Sequence, residues 1–415
     1  MILTAEEEAM LAGQFGESIQ WAMEMQMATG SYFGADRFQP VSHAHILVDM
    51  EVMGDTGQSL LRGMFESGVK FRVPTTTDIQ FTDPDYAMFL GQDPSLVAQQ
   101  MEVSHMLASM GAMTTNSCLP HQSFYQPHYG EHVAWGDTGA VCYANSIFGA
   151  RSNFEAGTAS LAAALTGRVP RYGFHVDVNR RGTVLVTVNT PLDDYADWGA
   201  LGAYVGNYVK NYWDVPVLQG LSGPFSSDQL KHLAAALASY GSVALYGIVG
   251  HTPEFLTTCA WPRDSLRSEI RITRAEIMEV YRSYSPESSQ ADVVVFSGPQ
   301  QSLFELKKLS EFLDGKTVNS NTQLIVTTSH GFYSIAKQLG YIDRIQKAGG
   351  LVLQGVCFYL MTLDTIQKKW GWRTVVTNSA KVANIIGCYH YRPVLRTTDD
   401  CIRSALTGKV VPYSD

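Results

Sequence analysis

Residues 293–312 read VVVFSGPQQSLFELKKLSEF. The stretch runs as a short buried strand, a sharp loop and an amphipathic helix, and in α/β proteins that junction is where ligands usually sit. The loop itself, Ser297-Gly298-Pro299-Gln300-Gln301, carries no acid, base, thiol or imidazole. The same unit recurs through the last third of the chain. Asp292–Phe296 leads to a helix over Ser302–Leu313, and Leu324–Thr328 runs into Ser329-His330 and a helix. Gly350–Gln354 leads to Cys357, and Thr374–Thr377 to Asn378-Ser379-Ala380-Lys381. Further upstream, Ser242–Val249 leads to Gly250-His251-Thr252-Pro253-Glu254. Strand, polar loop and helix in alternation predict a parallel, doubly wound sheet with its polar rim at the carboxyl ends of the strands.

Working outward, Thr4-Ala5-Glu6-Glu7 fits a capping box, followed by a Met- and Ala-rich helix to about Ala28 that Gly30 ends. Strands are expected over His45–Val52, Lys70–Pro74 and Gly182–Asn189, and a helix over Ser95–Met110. Gly136–Gly167 is rich in small residues, which permits close backbone packing or a ligand pressed against the backbone. Leu218–Ser226 reads as a linker or hinge. A chain of 415 residues exceeds one core, so three segments are expected: 1–75, 76–222 and 223–415.

Composition is that of an ordinary globular protein, 45% hydrophobic and 17% charged. A net charge of -9 with no basic run argues against nucleic acid. Apolar runs such as Leu161–Leu165 are far too short to span a bilayer. The acidic start MILTAEEEAMLAGQFG lacks a secretory pattern, so a cytoplasmic location is expected. Six cysteines, Cys118, Cys142, Cys259, Cys357, Cys388 and Cys401, form no CxxC pair.

Three segments can carry chemistry. Cys118 sits in a loop closed by Pro120. Asn145-Ser146, Arg151-Ser152-Asn153 and Glu155 crowd one Gly-bearing turn, which either grips a carboxylate or phosphate or caps a polar helix start. Asn378-Ser379-Ala380-Lys381 follows a strand and either holds an anion or caps a helix with a solvated lysine. His128 and His132 in HYGEH are not an HExxH zinc pair, and His43 and His45 on one strand face are too few to infer a metal. His251 and His330, at strand ends, fit either acid–base groups or caps. No Walker loop, GxGxxG turn or GxSxG elbow lies in suitable context.

Taken in order, LTAEEEAMLAGQFG, GADRFQPVSHAHI, VPTTTD, TNSCLPH, GEHVAW, YANSIFGARSNFEAGTASLAAALTGRVPRYGFH, HTPE, SGPQQSLFEL, GVC, VVTNSAK and DDCIRSALTGK resemble the large subunit of aconitase X, a branch of the aconitase superfamily. The resemblance covers most of the chain. It implies aconitase-like αβα layers around a central cleft and a hydro-lyase that removes a proton next to a carboxylate and expels hydroxide. It also implies an iron–sulfur cluster on cysteines, and a separate small subunit that closes the cleft and supplies a serine base. Known substrates in the family are cis-3-hydroxy-L-proline and a phosphorylated mevalonate.

By this resemblance Cys118 and Cys357 match cluster cysteines. Gly298 stands where the third is usual, and Gln300 where a histidine is. Phe154 replaces an arginine of the substrate loop, which weighs against a phosphate, and His121 replaces a tyrosine. Two thiolates are too few for an ordinary cubane. The expected cofactor is therefore one iron or zinc on Cys118, Cys357 and His121, or no metal. Lys381 and Arg151 are expected to hold the anionic substrate, and Ser379, His251 and Glu155 to move protons. Thr76, Asn145, Ser146, Ser152, Asn153 and Asn378 would line the pocket. A specialised reaction, as in secondary metabolism, is expected. The alternatives are an isomerase or cyclase using the same pocket, or a non-catalytic binding subunit.

Overall fold

The computed structural model describes residues 1–48, 50–256 and 263–413. Its last third is a five-stranded parallel sheet in the order Gly350–Gln354, Gln323–Thr328, Val293–Phe296, Thr374–Thr377, Arg392–Leu395. The first strand in sequence is the central one, and the chain winds outward from it in both directions. That reversal makes the carboxyl ends of Val293–Phe296 and Thr374–Thr377 the topological switch point. The continuous apolar run VVVF is fully buried because helices cover both faces of the sheet.

A second parallel sheet has the order Gly247–Ile248, Pro216–Gln219, Val184–Val188, Ser268–Ile272. Helices Tyr195–Val209 and Ser227–Gly241 pack beside it with almost no gap. A Cβ on Gly202 would come within 2.7 Å of the Leu233 carbonyl oxygen, so this approach requires glycine. The N-terminal third centres on three short parallel strands, with Ala44–Ile46 between Thr75–Thr77 and Ala134–Trp135. Its core of Met10, Met23, Met106 and Leu161 lies under the surrounding helices. No helix among the described residues is long and apolar enough to cross a membrane.

Several elements differ from expectation. The first helix is two, Ala5–Leu11 and Glu17–Tyr32, broken by Gly13 and Gly16 at positive φ; Gly30 lies inside the second. The capping box forms as read: the Thr4 N–H donates to Glu7 Oε2 at 2.8 Å and the Glu7 N–H to Thr4 Oγ1. The expected strand Lys70–Pro74 is a connector, and pairing begins at Thr75. The strand expected over His45–Val52 is Ala44–Ile46 and gives way to a helix from Met50; Asp49 lies outside the described residues. Of Ser242–Val249 only Gly247–Ile248 pairs, because Ser242 at φ +56° terminates the preceding helix. Local pattern finds apolar runs, whereas the ladder partner sets where pairing starts and stops. Leu218–Ser226 is not a hinge between domains. Pro216–Gln219 and Gly247–Ile248, on either side of the 222/223 boundary, pair in one sheet, and 75/76 falls inside a strand.

Candidate active site

At the switch point the loop after Val293–Phe296 holds three other segments together. The Gln300 N–H donates to Cys118 Sγ at 3.3 Å. The Gln300 side-chain amide donates to the carbonyls of Asn116 (3.2 Å), Thr328 (3.3 Å) and Val356 (3.2 Å). Ser297 Oγ lies 3.4 Å from Cys357 Sγ and accepts from the Phe358 N–H at 2.9 Å. The Ser379 hydroxyl donates to the Gly298 carbonyl and accepts from the Val382 N–H at 3.2 Å. A loop with no titratable group thus works through amides and hydroxyls, because what it must satisfy is backbone carbonyls and thiols buried far from water.

Around it gather the charged groups. Cys118 and Cys357 are buried in one small cluster with Ile79 and Leu119. The hydrogen bond to Cys357 and burial push the Cys118 thiol well up. Burial also pushes Cys357 up, but the hydrogen bond from Cys118 and the Lys381 ammonium outweigh it and leave that thiol lowered. Lys381 is buried rather than solvated. Its Nζ reaches Asp137 Oδ2 at 3.3 Å and lies 5.3 Å from the centre of the Tyr359 ring. Burial works against its charge, yet Asp137, Tyr359 and the two thiols hold its pKa well above the usual value.

A relay from the first strands closes the other side. The Trp135 indole N–H donates to His43 Nδ1 at 3.0 Å, so the His43 proton sits on Nε2, 3.4 Å from Thr76 Oγ1. Thr76 Oγ1 also lies 2.7 Å from His45 Nδ1, and on the other side of that ring His45 Nε2 lies 3.8 Å from Asp78 Oδ1. His45 Nε2 and Asp78 Oδ2 are buried and have no hydrogen-bond partner. Burial raises the Asp78 pKa, and Asp137 adds to it against the pull of His45. His121 stacks on Tyr143 at 4.2 Å, both ring nitrogens without a partner. Burial, with Lys231 and His45, takes its pKa down to about 3.

Of the residues expected from sequence, the structure brings together Cys118, Cys357, Ser379 and Lys381, with Thr76 in the adjoining relay. The helix that Ser379 caps, Ala380–Ile385, has six residues, so Lys381 supplies the positive charge there. Asn378 donates to Thr398 Oγ1 at 3.1 Å, and its own Oδ1 has no partner.

The turn Asn145–Glu155 is wall. Asn145 donates to the carbonyls of Ser152 (2.8 Å) and Ala244 (2.9 Å), and Ser146 Oγ accepts from the Tyr246 N–H. Arg151 is taken by Asp177 and Glu254, at 3.0 and 2.9 Å. Asn153 ties the Phe174 N–H to the Tyr172 carbonyl, and Phe154 packs edge-on to Tyr212. Ser152 and His175 hold Glu155, at 3.0 and 3.2 Å. His251 is exposed and tilts against Phe225, on the second sheet's domain.

Sequence reading did not name Asp137, His45 or Asp78 as candidates, and the structure sets them beside the lysine and thiols. Asp137 reads locally as an N-cap, which it is, for Thr138–Tyr143. Its pairing with a lysine 244 positions away has no local signal. The two-residue spacing of His43 and His45 was the one available hint.

These residues do not make an ordinary cluster site. Gly298 sits beside Cys357, where an added Cβ would lie 3.5 Å from its Sγ. Gln300 uses its amide on carbonyls. Among the described residues no three His, Cys, Asp or Glu side chains come together to hold a metal ion, so His121 does not complete a triad with the two thiols. Cys388 is exposed and donates to the Ile385 carbonyl, while Cys142 and Cys401 belong to other cores. Cys259 lies outside the described residues.

Comparison with known proteins matches three family models end to end: aconitase X first domain over residues 1–178, second domain over 182–282 and third domain over 291–407. The phosphomevalonate dehydratase large subunit of Thermococcus kodakarensis is 35% identical, over 98% of this chain and 100% of the relative. The cis-3-hydroxy-L-proline dehydratase of Pseudomonas aeruginosa is 28% identical, over 95% of this chain and 67% of that enzyme. A crystal structure of Thermococcus kodakaraensis aconitase X in its holo-form superposes with a TM-score of 0.87 at 34% identity, covering 98% of this chain and 100% of that one.

Proposed function

Because this chain belongs to the aconitase X family, we propose that it is a hydro-lyase that dehydrates a small hydroxy acid. The observation that carries the reading is the pair of unpartnered buried atoms, His45 Nε2 and Asp78 Oδ2, with Asp78 close enough to the buried lysine–thiol cluster for its charge to act on Cys118. Lys381, kept charged by Asp137, holds the substrate carboxylate and stabilises the negative charge that grows on it as the adjacent C–H bond breaks. Asp78 Oδ2 takes that proton; its raised pKa makes it a stronger base than a free aspartate. His45 Nε2–H gives its proton to the leaving hydroxyl, which departs as water while the C=C bond forms. The two groups are then left mismatched by one proton, and their 3.8 Å separation lets it return. Ser379 acts by positioning the Gly298 loop. Arg151 and Glu155, in paired networks of their own, keep the wall in place.

The cofactor belongs to the same proposal. Relatives of this chain include one solved in a holo-form, but the two thiols here favour a site with no conventional cluster, with a single metal ion or none. A small subunit is the proposed partner, since the archaeal relatives are named as large subunits. A cytoplasmic location completes the reading.

The test is exchange and turnover in deuterated water, followed by NMR across a panel of hydroxy acids, with and without a candidate small subunit. Exchange at the carbon next to the carboxylate that disappears in Asp78→Asn and in His45→Gln is expected. Ligand binding without exchange or turnover for any acid would instead favour a binding subunit.

A further inference from the structure

One cavity joins all three domains. It has a volume of about 650 Å³, within the range of small-molecule sites. His121, Gln122, Tyr143 and Phe148 line it from the first domain, Tyr195 and Asp228 from the second, Ser302, Phe304 and Phe332 from the third. Its inner wall is also the wall of the site above: His121 follows Cys118 by three residues, and Phe332 packs on the Cys118–Cys357 cluster. Five of the thirteen lining residues are phenylalanine or tyrosine, and no lysine or arginine is part of the lining. Two lysines behind the lining are already engaged: Lys231 with Glu305 and, at 3.7 Å, with Asp228, and Lys308 over the Tyr195 and Phe312 rings. The one acid, Asp228, is held by Ser302 and Gln122.

Two features point to a ligand. His121 is 3% exposed and neither of its ring nitrogens has a partner; Gln122 Oε1 beside it is also buried and unpaired. Phe304, by contrast, stands at the rim with 74% of its surface exposed. Unsatisfied polar atoms beside several aromatic rings, in a lining with no lysine or arginine, suit a largely hydrocarbon group that brings one hydrogen-bonding atom. A phosphate would meet no lysine or arginine in the lining and would face the Asp228 carboxylate.

We propose that this cavity binds the non-reacting side of the substrate, which is a hydroxy acid bearing an aromatic or branched hydrocarbon group and no phosphate, with His121 as its hydrogen-bond partner. This deepens the hydro-lyase reading and rests on it for the word substrate. Titration calorimetry of the full chain with 3-hydroxy-3-phenylpropanoate, 3-hydroxybutanoate and phosphomevalonate tests it. The phenyl acid is expected to bind about thirtyfold more tightly than 3-hydroxybutanoate, the effect of burying one phenyl group, and more tightly than phosphomevalonate. Phe304→Ala should cost the phenyl acid about tenfold and leave 3-hydroxybutanoate unchanged. Equal affinities, or preference for phosphomevalonate, would overturn the inference while leaving a dehydratase intact. So would loss of small-subunit association in Phe304→Ala with no acid bound. A phenyl acid that binds as expected but is never dehydrated, in a protein that turns over no acid, would sink the hydro-lyase reading and leave the cavity's preference standing.

Discussion

Gly298→Cys restores the thiol that the family resemblance expects, and the structure sets what it should cost. Gly298 has φ +55°, in the left-handed region, where a side chain costs about 1–2 kcal/mol. Its new Cβ would also meet Val382 Cγ2 at 2.5 Å, an overpacking worth about 1–3 kcal/mol. The sum is about 2–5 kcal/mol, visible as a lower midpoint in urea with an unchanged slope for the domain concerned. Gly298→Ala carries the same strain without sulfur, so it should fall as far. The two variants should part only in chemistry. After anaerobic reconstitution with iron and sulfide, the cysteine variant should hold more acid-labile sulfide than wild type or Gly298→Ala, because its thiol enters beside Cys357 Sγ. Two results would refute the reasoning: stoichiometric iron with equal sulfide in the wild-type protein, or identical sulfide in the cysteine and alanine variants.

Lys381→Met should abolish turnover and destabilise the fold by about 3–5 kcal/mol by stranding Asp137; adding Asp137→Asn should recover stability in a urea melt but not activity. The pH dependence has two windows. His43 and His121, each taken down to about 3 by burial, are neutral in the fold but protonate near 6.5 when unfolded. The unfolded chain therefore binds more protons below pH 6.5, and each imidazole should subtract about 2 kcal/mol by pH 5; His121→Gln should flatten that limb in denaturation curves taken from pH 7 to 5. Glu305 acts in the same direction at lower pH, with its charged form the one the fold favours. Burial pushes it up, but Lys231 and His232 hold it down at about 2. The stability it contributes is complete above pH 4.5 and is lost as pH falls toward 2, so Glu305→Gln should be less stable than wild type at pH 6 and converge with it in acid.

Much of the fold was legible along the chain. VVVF, TVVT and the Gly350–Gln354 run read as strands because a sheet covered on both faces demands unbroken apolar segments, and that signal is local. The caps at Thr4, Ser302 and Ser379 are local as well, each a hydroxyl meeting a backbone N–H three residues on. The polar loops at strand ends marked the rim.

Tertiary structure alone decided what the polar groups do. Arg151 and Lys381 look equally available in sequence, yet the fold gives Arg151 two carboxylates and turns Lys381 inward toward Asp137 and two thiols. His45 and Asp78 came within 3.8 Å only in the fold, where parallel strands set Thr76 against His45 and a distant indole fixed the tautomer of His43. Propensity and periodicity depend on neighbours a few residues apart, so the chain carries them in its own order. Charge, protonation and an unfilled hydrogen bond depend on what lies within a few ångströms, and here such neighbours are as far apart in sequence as Asp137 and Lys381, 244 residues.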